Sequence, residues 1–292
     1  MIRHLVISGG GQTGFTFYGL LRESHKQGYW NIENIQTIYG TSVGMLVSII
    51  LCLKYDWETV DTYLIDRPWH TVFKFDIYSV IQSFEKRGIF TVDTITQILA
   101  PLFAGKDVSV DITLADFFAL NGIELHFFAT EVNSFQVIDI SYKTHPDWRV
   151  IDAAYCSSTL PIIFAPYIRD EQCFVDGGVI CSYPIKQCLD AGHLPDEIFA
   201  IKKHTSASID MVTDKSSLFD YLMIILRKTI RVLNGQEIGL VPNEILVSGD
   251  SVSIDGILTM SASKEARREL IEFGAQLIRG LPPPVSPPPT ME

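Results

Sequence analysis

The chain has 292 residues, which allows one large domain or two ordinary ones, each with a substantial core. A hydrophobic fraction of 47% with 20% charged residues describes a globular protein and excludes a disordered one. The net charge of −11 argues against a nucleic-acid-binding protein, because phosphate contacts need clustered Lys and Arg, and against strong attraction of the whole molecule to anionic lipid.

The chain opens with alternating strands and helices. The β-branched run at 4–8 predicts a buried parallel strand, and the helix that follows, 15–27, ends at Gly28. A second strand at 35–39 and an apolar helix at 43–54 complete a right-handed βαβ unit, which predicts a parallel sheet. The later predicted elements are a mainly helical, aromatic-rich region at 56–105, a hairpin of strands 124–132 and 135–142, a helix at 150–161, a strand and turn at 173–178, a strand at 197–202 and a helix at 216–233.

The helix predicted at 216–233 is amphipathic. It carries Asp220, Arg227, Arg231 and Asn234 on one face and aliphatic residues on the other. This pattern is typical of a surface helix packed on the core, which we expect here in preference to a membrane-docking helix.

The sequence predicts neither a membrane span nor a metal site. The longest apolar stretches, 45–53 and 221–226, are too short to span a bilayer, and the amino terminus lacks a signal-peptide pattern. We therefore expect a cytoplasmic protein or one peripheral to a membrane. The five cysteines form no CxxC pair and have no histidine at ligand spacing, which favours reduced thiols over zinc. The Pro-rich residues 281–292 predict a disordered tail.

A glycine loop follows the first strand, in the sequence HLVISGGGQTGFTFYGLL. Gly9, Gly11 and Gly14 satisfy G-x-G-x-x-G between a strand and a helix, the pattern of a dinucleotide-binding turn. A nicotinamide or flavin site also needs an acidic residue where the second strand ends, but the sequence there is TIYGTSVG. We therefore predict no nucleotide cofactor, and copurifying NAD or FAD would contradict this prediction. The N–H groups of such a loop suit an anionic transition state instead.

A second motif stands where the second strand ends. The segment GTSVG matches G-x-S-x-G, the pattern of a nucleophile elbow, with a strand before it and a helix after it. Gly40 and Gly44 allow the sharp turn that exposes the Ser42 hydroxyl, and the following helix directs its positive end at that oxygen. Adjacent parallel strands end at one edge of the sheet, so we expect the N–H groups of Gly10 and Gly11 to hold the oxyanion of a carbonyl that Ser42 attacks.

Two arrangements for activating the serine are compatible with the sequence. A triad in the order Ser, Asp, His would use Ser42, Asp176 and either His193 or His204, although the α/β-hydrolase fold places several strands before its elbow and only one precedes this one. The alternative needs no histidine. Asp176 ends a strand in FVDGGV, and the two glycines after it permit a neighbouring loop to approach, so the carboxylate can accept the serine proton directly.

Five segments in this order resemble the patatin-like phospholipase family of lipid acyl hydrolases. They lie within 4–203 and read GGGQTG, GTSVG, HFFATEV, AAYCSSTLPIIFAP and DGGVICSYP. The resemblance implies a three-layer α/β/α sandwich with a mainly parallel central sheet, in a catalytic domain spanning 1–280. It implies a Ser42–Asp176 dyad that cleaves acyl esters of phospholipids or related lipids, at a membrane surface, through an acyl-serine intermediate and without a cofactor. The glycines expected to form the oxyanion hole or to support the motifs are Gly9, Gly10, Gly11, Gly14, Gly40, Gly44, Gly177 and Gly178.

Two positions depart from the family pattern. The family usually carries Arg or Lys just before the last glycine of the first loop, where this chain has Thr13. The family also often has Asn where Ser182 follows the Asp-Gly-Gly motif. Because the loop then lacks a nearby positive charge, the alternative function is a catalytically weak or inactive lipid-binding protein.

Overall fold

The structure is a computed structural model that describes residues 1–74, 77–204, 211–235, 239–250 and 252–281, with the backbone alone for 77–80. Of the predicted tail at 281–292, only Leu281 lies within the described residues. The strands in chain order are β1 (His4–Ile7), β2 (Thr37–Thr41), β3 (Gly88–Phe90), β4 (Glu124–Glu131), β5 (Gln136–Ile140), β6 (Ile162–Phe164), β7 (Tyr167–Arg169), β8 (Gln172–Asp176), β9 (Ile198–His204) and β10 (Asn243–Ser248). The helices are α1 (Gly14–Lys26), α2 (Val43–Cys52), α3 (Trp57–Asp66), α4 (Ile77–Lys86), α5 (Val92–Ala104), α6 (Leu114–Asn121), α7 (Val150–Ser158), α8 (Ile185–Asp190), α9 (Leu218–Asn234), α10 (Ile254–Ala262) and α11 (Lys264–Arg279).

The central sheet has the strand order β10-β9-β1-β2-β4-β8-β7, with β5 also paired to β4. The neighbours from β10 to β4 are parallel, whereas β5, β7 and β8 form antiparallel pairs. Strands β3 and β6 form a separate parallel pair. The prediction of a mainly parallel sheet is confirmed.

Helices cover both faces of the sheet. Successive side chains of a strand point to opposite faces, so Leu5 and Ile7 of β1 pack in the larger core with α1, α2, α5, α7 and α11. Val6 points the other way and packs in a smaller core with Ile185 and Cys188 of α8. The three-layer α/β/α architecture follows from this alternation, as predicted.

The predicted βαβ opening and the β4–β5 hairpin are confirmed, and most differences concern the second half of the chain. The helix expected to stop before Pro161 ends at Ser158, and β6 begins directly after Pro161. The chain beyond 235, for which the sequence suggested no elements, adds β10 to the sheet edge and packs α11 against α1. That contact is close, because a Cβ on Gly274 would lie 2.0 Å from the backbone oxygen of Thr16.

Helix α9 confirms a predicted helix but corrects the prediction of which face packs. Met223 and Ile224 are its buried residues, while the aliphatic stripe of Leu218, Leu222, Ile225 and Val232 is exposed. Asn234, assigned to the polar outer face, turns inward because backbone groups of a neighbouring loop bond its amide. No helix among the described residues is both long and apolar enough to cross a membrane.

Candidate active site

Strand pairing brings Ser42 and Asp176 to the same level of the sheet. Thr41, the last residue of β2, pairs with Phe128 of β4, and Asp176, the last residue of β8, pairs with Ala129. Strand β5 already occupies one edge of β4 over these residues, so β2 and β8 share the other edge. Because β2 and β8 run in opposite directions along that edge, their carboxyl ends meet.

The glycine loop lies beside this meeting point. Ile7 of β1 pairs with Gly40 of β2, which places Gly9 level with Ser42 on the neighbouring strand. A Cβ on Gly9 would lie 3.5 Å from the Cβ of Ser42, which is van der Waals contact distance. The two glycine motifs of the sequence are therefore next to each other in space.

Ser42 has the strained backbone of a nucleophile elbow. Its φ of 56° and ψ of −130° lie in a region that L-residues rarely adopt, and it stands directly before the first residue of α2. Gly44 is required here, because a Cβ would lie 2.4 Å from the backbone oxygen of Ile7. The elbow is held by Ser157, whose Oγ accepts a 2.9 Å hydrogen bond from the Ser42 N–H and donates to the Phe128 oxygen.

Asp176 is a buried carboxylate that is hydrogen-bonded to the serine. Burial raises its pKa to about 6. Two hydrogen bonds oppose this shift: the Gly178 N–H donates to Oδ1 at 2.7 Å, and the Ser42 hydroxyl also donates to the carboxylate. A carboxylate with a pKa near neutrality that accepts a hydrogen bond from a serine hydroxyl is suited to take its proton. Gly177 allows this turn to lie against β4, since a Cβ there would lie 2.1 Å from the Phe128 oxygen.

The three glycines predicted to form an oxyanion hole differ in their hydrogen bonds. The N–H of Gly9 donates to the Ser182 oxygen at 2.8 Å, so Gly9 joins the glycine loop to the Asp-Gly-Gly turn. The N–H groups of Gly10 and Gly11 have no acceptor among the described residues. Gly11 has a φ of +56°, and Gly14 lies against α2, where a Cβ would be 2.2 Å from Val43. These contacts leave Gly10 and Gly11 as the donors available to a ligand.

Lys203 supplies the positive charge that Thr13 does not. Its ammonium group donates to the Gly10 oxygen at 3.4 Å and to the Asp250 oxygen at 2.5 Å. Burial lowers its pKa to about 8, against the raising effect of the Asp250 carboxylate. The sequence did not identify Lys203; the available signal was its position near the carboxyl end of β9, the sheet edge at which α/β folds place their sites.

Asn234 supplies the side-chain amide that Ser182 does not. Its Nδ2 donates to the oxygens of Gly178 and Val179 at 2.9 and 3.2 Å, and its Oδ1 accepts the Ser182 N–H at 2.5 Å. A residue at the end of α9 therefore holds the turn that follows Asp176. Because 52 residues separate Asn234 from Ser182, no local motif indicated this role.

Of the two histidines considered for a triad, His204 lines the same cavity as the pair, whereas His193 lies away from it. His193 stacks on His4, the first residue of β1, with ring centroids 3.7 Å apart, which puts it at the amino end of the sheet. His204 ends β9, two strands from β2 and hence roughly 9–10 Å from the serine's strand. Among the described contacts of Asp176 there is no histidine. The geometry favours the histidine-free arrangement.

Ser42 and Asp176 line a cavity of about 570 Å³, a volume typical of small-molecule sites. One part of its wall is apolar and comes mainly from α2, α3 and α5 and the segments near them; this part includes Phe15, Leu46, Ile50, Leu64, Trp69, Phe73, Ile95 and Ile98. Of the aromatic segment 73–90, Phe73 lines the cavity and Phe90 packs behind it, with ring centroids 5.5 Å apart. The buried Ser158 hydroxyl also lines the cavity and has no hydrogen-bond partner within the described chain.

No three potential metal ligands (His, Cys, Asp or Glu) come together in the part of the chain that the structure describes. The strand end that would bind a nucleotide ribose carries Thr41 and Ser42 in place of a carboxylate. The chemistry available at the site is therefore that of a hydroxyl, a carboxylate, an ammonium group and the backbone N–H groups of the glycine loop.

Comparison with known proteins finds a matching family and related viral proteins. The family model of patatin-like phospholipases matches residues 5–189, more than half of the chain. An uncharacterized protein of Acanthamoeba polyphaga mimivirus is 27% identical over 184 residues, covering 63% of this chain and 60% of that protein. A protein of Invertebrate iridescent virus 6 named a probable lipid hydrolase is 25% identical over 181 residues, covering 62% and 61%. The match thus spans about three fifths of these relatives.

A solved structure agrees on the fold. The crystal structure of VipD from Legionella pneumophila superposes with a TM-score of 0.50 at 12% identity, covering 93% of this chain and 67% of that one. This likeness concerns the fold alone. Together with the family match over the glycine loop, the elbow and the Asp-Gly-Gly turn, it supports one conclusion: the chain belongs to the patatin-like phospholipase family.

Proposed function

We propose that the chain is a lipid acyl hydrolase of the phospholipase A type, which cleaves fatty-acyl esters through an acyl-serine intermediate. The observation that carries the proposal is the hydrogen-bonded pair of Ser42 and Asp176 at the wall of a largely apolar cavity. Family membership supports lipid hydrolysis as the reaction class.

In the proposed first half-reaction, Asp176 accepts the proton of Ser42 as its Oγ attacks the carbonyl carbon of the ester. The carbonyl electron pair moves onto oxygen, and the N–H groups of Gly10 and Gly11 stabilise that oxyanion. When the intermediate collapses, the alcohol leaves with the proton from Asp176 and the acyl group remains on Ser42. In the second half-reaction Asp176 takes a proton from water as the water oxygen attacks the acyl-serine. When the fatty acid leaves, this proton passes from Asp176 to the Ser42 oxygen, which restores the hydroxyl and the carboxylate.

The catalytic unit that we propose is 1–280. Two elements beyond the last of the five motif segments support this extent, since α9 contributes Asn234 to the turn after Asp176 and α11 packs on the helix that follows the glycine loop. A shortened chain that ends at residue 205 would lose both contacts.

The experiment for the proposed function compares the native chain with Ser42→Ala on mixed phospholipid vesicles and on detergent micelles. We expect the native chain to release free fatty acid and lysophospholipid, detected by mass spectrometry, and the variant to release neither. A folded native chain that releases no fatty acid from either preparation would contradict the proposal and favour the lipid-binding alternative.

We further propose that the enzyme acts on lipid at a membrane surface through the outer side of α9. Leu218, Leu222, Ile225 and Val232 are spaced i, i+4, i+7 and i+14, so they share one side of the helix, and they are exposed by 70, 41, 44 and 81%. Adjacent and inner sides of the same helix, which carry Leu226, Arg227 and Ile230, line the cavity. A bilayer that covered this stripe would therefore lie next to the cavity.

Replacing Ile225 and Val232 with glutamate tests this surface. Each apolar side chain that enters lipid contributes about 1.5–3 kcal/mol, so we expect the ratio of vesicle to monomeric-ester hydrolysis to fall at least tenfold. The matched control is Leu120→Glu, which changes an equally exposed residue near the amino end of β4, away from the cavity. An unchanged ratio in the double variant, or an equal fall in the control, would contradict the assignment.

The pH profile tests the two titrating groups of the site. Asp176 must be ionised to accept a proton, so kcat/KM is expected to rise through pH 6; Lys203 must be protonated to support the loop, so kcat/KM is expected to fall through pH 8. In Lys203→Gln, whose amide preserves a donor to the Gly10 oxygen, we expect a lower rate and no fall near pH 8. An alkaline limb that persists in this variant would show that Lys203 does not cause it.

A further inference from the structure

The charged residues that line the cavity are almost all basic. Among the described residues the lining includes five cations, Lys186, Lys202, Lys203, Arg227 and Arg231, and one carboxylate, Asp176. The whole chain has the opposite balance, with 34 Asp and Glu against 23 Lys and Arg. The cavity lining contains five of the 23 basic residues and one of the 34 acidic residues. Basic residues are therefore concentrated at the cavity of an otherwise acidic protein.

The cations of the lining lie on few elements. The basic side chains are carried by α8, β9 and α9, and α9 also contributes apolar residues, whereas the lining residues of α2, α3 and α5 are all apolar. Arg227 and Arg231 are one turn apart on α9 and therefore face the cavity together. Ser42 and Asp176 line the same cavity as the cations and the apolar residues. A single ligand that contacts both groups of residues can therefore also contact the dyad.

Two cations are held in place by neighbouring groups. The ammonium of Lys202 lies 5.1 Å from the centre of the Tyr183 ring, and Lys203 bonds the Gly10 oxygen. Two carboxylates also act on this wall from outside the lining. The Asp250 carboxylate attracts the Lys203 ammonium. The pKa of Asp220 is lowered mainly by hydrogen bonds from the Ser217 hydroxyl and N–H, and further by the charge of Arg227. Among the described residues these two carboxylates act on a wall that carries five cations.

We propose that the basic wall binds the headgroup of a phospholipid that carries net negative charge, and that it makes the enzyme selective for anionic over zwitterionic phospholipids. This inference rests on the proposed function. Phosphodiester oxygens accept charge-assisted hydrogen bonds from Arg and Lys. A choline headgroup offers a trimethylammonium that needs aromatic faces or carboxylates. The lining's carboxylate is Asp176, and the Tyr183 ring already faces Lys202. The other aromatic rings of the lining, Phe15, Trp69, Phe73 and Phe164, are carried by elements other than those that carry the cations.

The test uses short-chain phospholipids below their micelle concentration, so that the charge of a membrane surface plays no part. We expect kcat/KM for dihexanoyl-phosphatidylglycerol to exceed that for dihexanoyl-phosphatidylcholine by about tenfold or more, the size of one or two charge-assisted hydrogen bonds. Arg227→Gln and Arg231→Gln together should reduce this ratio about tenfold. The matched control is Lys228→Gln, which removes a cation of the same helix that does not line the cavity and should keep the native ratio.

The outcomes separate this inference from the proposed function. Equal rates on the two lipids, or a ratio that the Arg227→Gln and Arg231→Gln changes leave intact, would overturn the headgroup site while lipid hydrolysis stands. Hydrolysis of neither lipid by folded protein would overturn the proposed function; calorimetric binding of the two lipids to Ser42→Ala then tests the site by itself, and equal affinities would overturn it.

A second probe distinguishes a lipid headgroup from a free anion. A headgroup site gains its affinity from the acyl chain as well as from the phosphate, so inorganic phosphate at the concentration of the lipid should leave the phosphatidylglycerol reaction unaffected. Inhibition by phosphate at that concentration would assign the cations to a free-anion site and overturn the proposal.

Discussion

Replacing Ser42 with alanine is expected to lower kcat/KM for a soluble acyl ester by on the order of 10⁴-fold or more, as loss of the nucleophile does in serine hydrolases. The physical reason is that the proposed covalent intermediate forms on this hydroxyl, and no other hydroxyl among the described residues combines exposure to the cavity with a hydrogen bond to Asp176. The measurement is steady-state hydrolysis of a chromogenic ester.

The matched control is Ser261→Ala. Ser261 also lines the cavity, but its hydroxyl is engaged by the Leu258 oxygen at 2.7 Å, so its removal should leave the rate close to the native one. Near-native hydrolysis by Ser42→Ala would remove the elbow from the mechanism, and an equal loss in the control would indicate general damage to the cavity.

Replacing Asp176 with asparagine is expected to lower kcat/KM by about 10²–10⁴-fold, the usual contribution of a positioned general base. Asparagine has nearly the shape of aspartate, and its Oδ1 can still accept the Gly178 N–H, so the change removes proton acceptance with little effect on the turn. The rates of acylation and of deacylation should both fall, since Asp176 is proposed to act in each half-reaction. Native rates in this variant would exclude Asp176 as the base.

The same variant should be more stable than the native chain at alkaline pH. Burial raises the pKa of Asp176 from 3.8 to about 6, so the folded state binds more protons than the unfolded state between these values and loses stability as pH rises through that window. The ionised carboxylate then costs about 3 kcal/mol, which asparagine avoids. Thermal unfolding should show Asp176→Asn several degrees more stable at pH 8, with a difference that shrinks below pH 4. No difference at pH 8 would mean that the pKa of Asp176 is not raised.

The local motifs of the sequence were sufficient to predict the elements that carry the site. A strand before GTSVG and a helix after it fix where Ser42 lies, and the parallel opening of the fold fixes the glycine loop beside it. For Asp176 the sequence predicted a strand end but not its direction. The site is compact because β8 runs antiparallel along the free part of β4, and that pairing depends on long-range contacts that no short pattern encodes.

The rest of the site could not be predicted because it comes from distant parts of the chain. Lys203 bonds Gly10 across 193 residues, and Asn234 bonds Gly178 across 56. The Lys203 ammonium lies at the loop in which Thr13 stands where the family usually has Arg or Lys. The Asn234 amide bonds the N–H of Ser182, which stands where the family often has Asn. Neighbouring residues alone cannot show what stands in these places, because the fold brings an ammonium group from β9 and a side-chain amide from α9.

The face of α9 was mispredicted for a related reason. Periodicity located the helix and divided it into polar and aliphatic sides, and burial was assigned to the aliphatic side by the general rule. The fold instead provides polar partners inside, at the turn after Asp176, so Asn234 is satisfied there and the aliphatic stripe remains outside. A general rule about burial fails where a cavity with backbone acceptors lies beneath a helix.

Intact-mass measurement after incubation with a fluorophosphonate shows whether Ser42 is an activated nucleophile. We predict a single adduct on the native chain and on Ser261→Ala, and none on Ser42→Ala. Labelling should rise with pH through 6 as Asp176 ionises. A folded native chain that takes up no label, with or without vesicles and detergent, would contradict the claim, as would an adduct that survives the Ser42→Ala change.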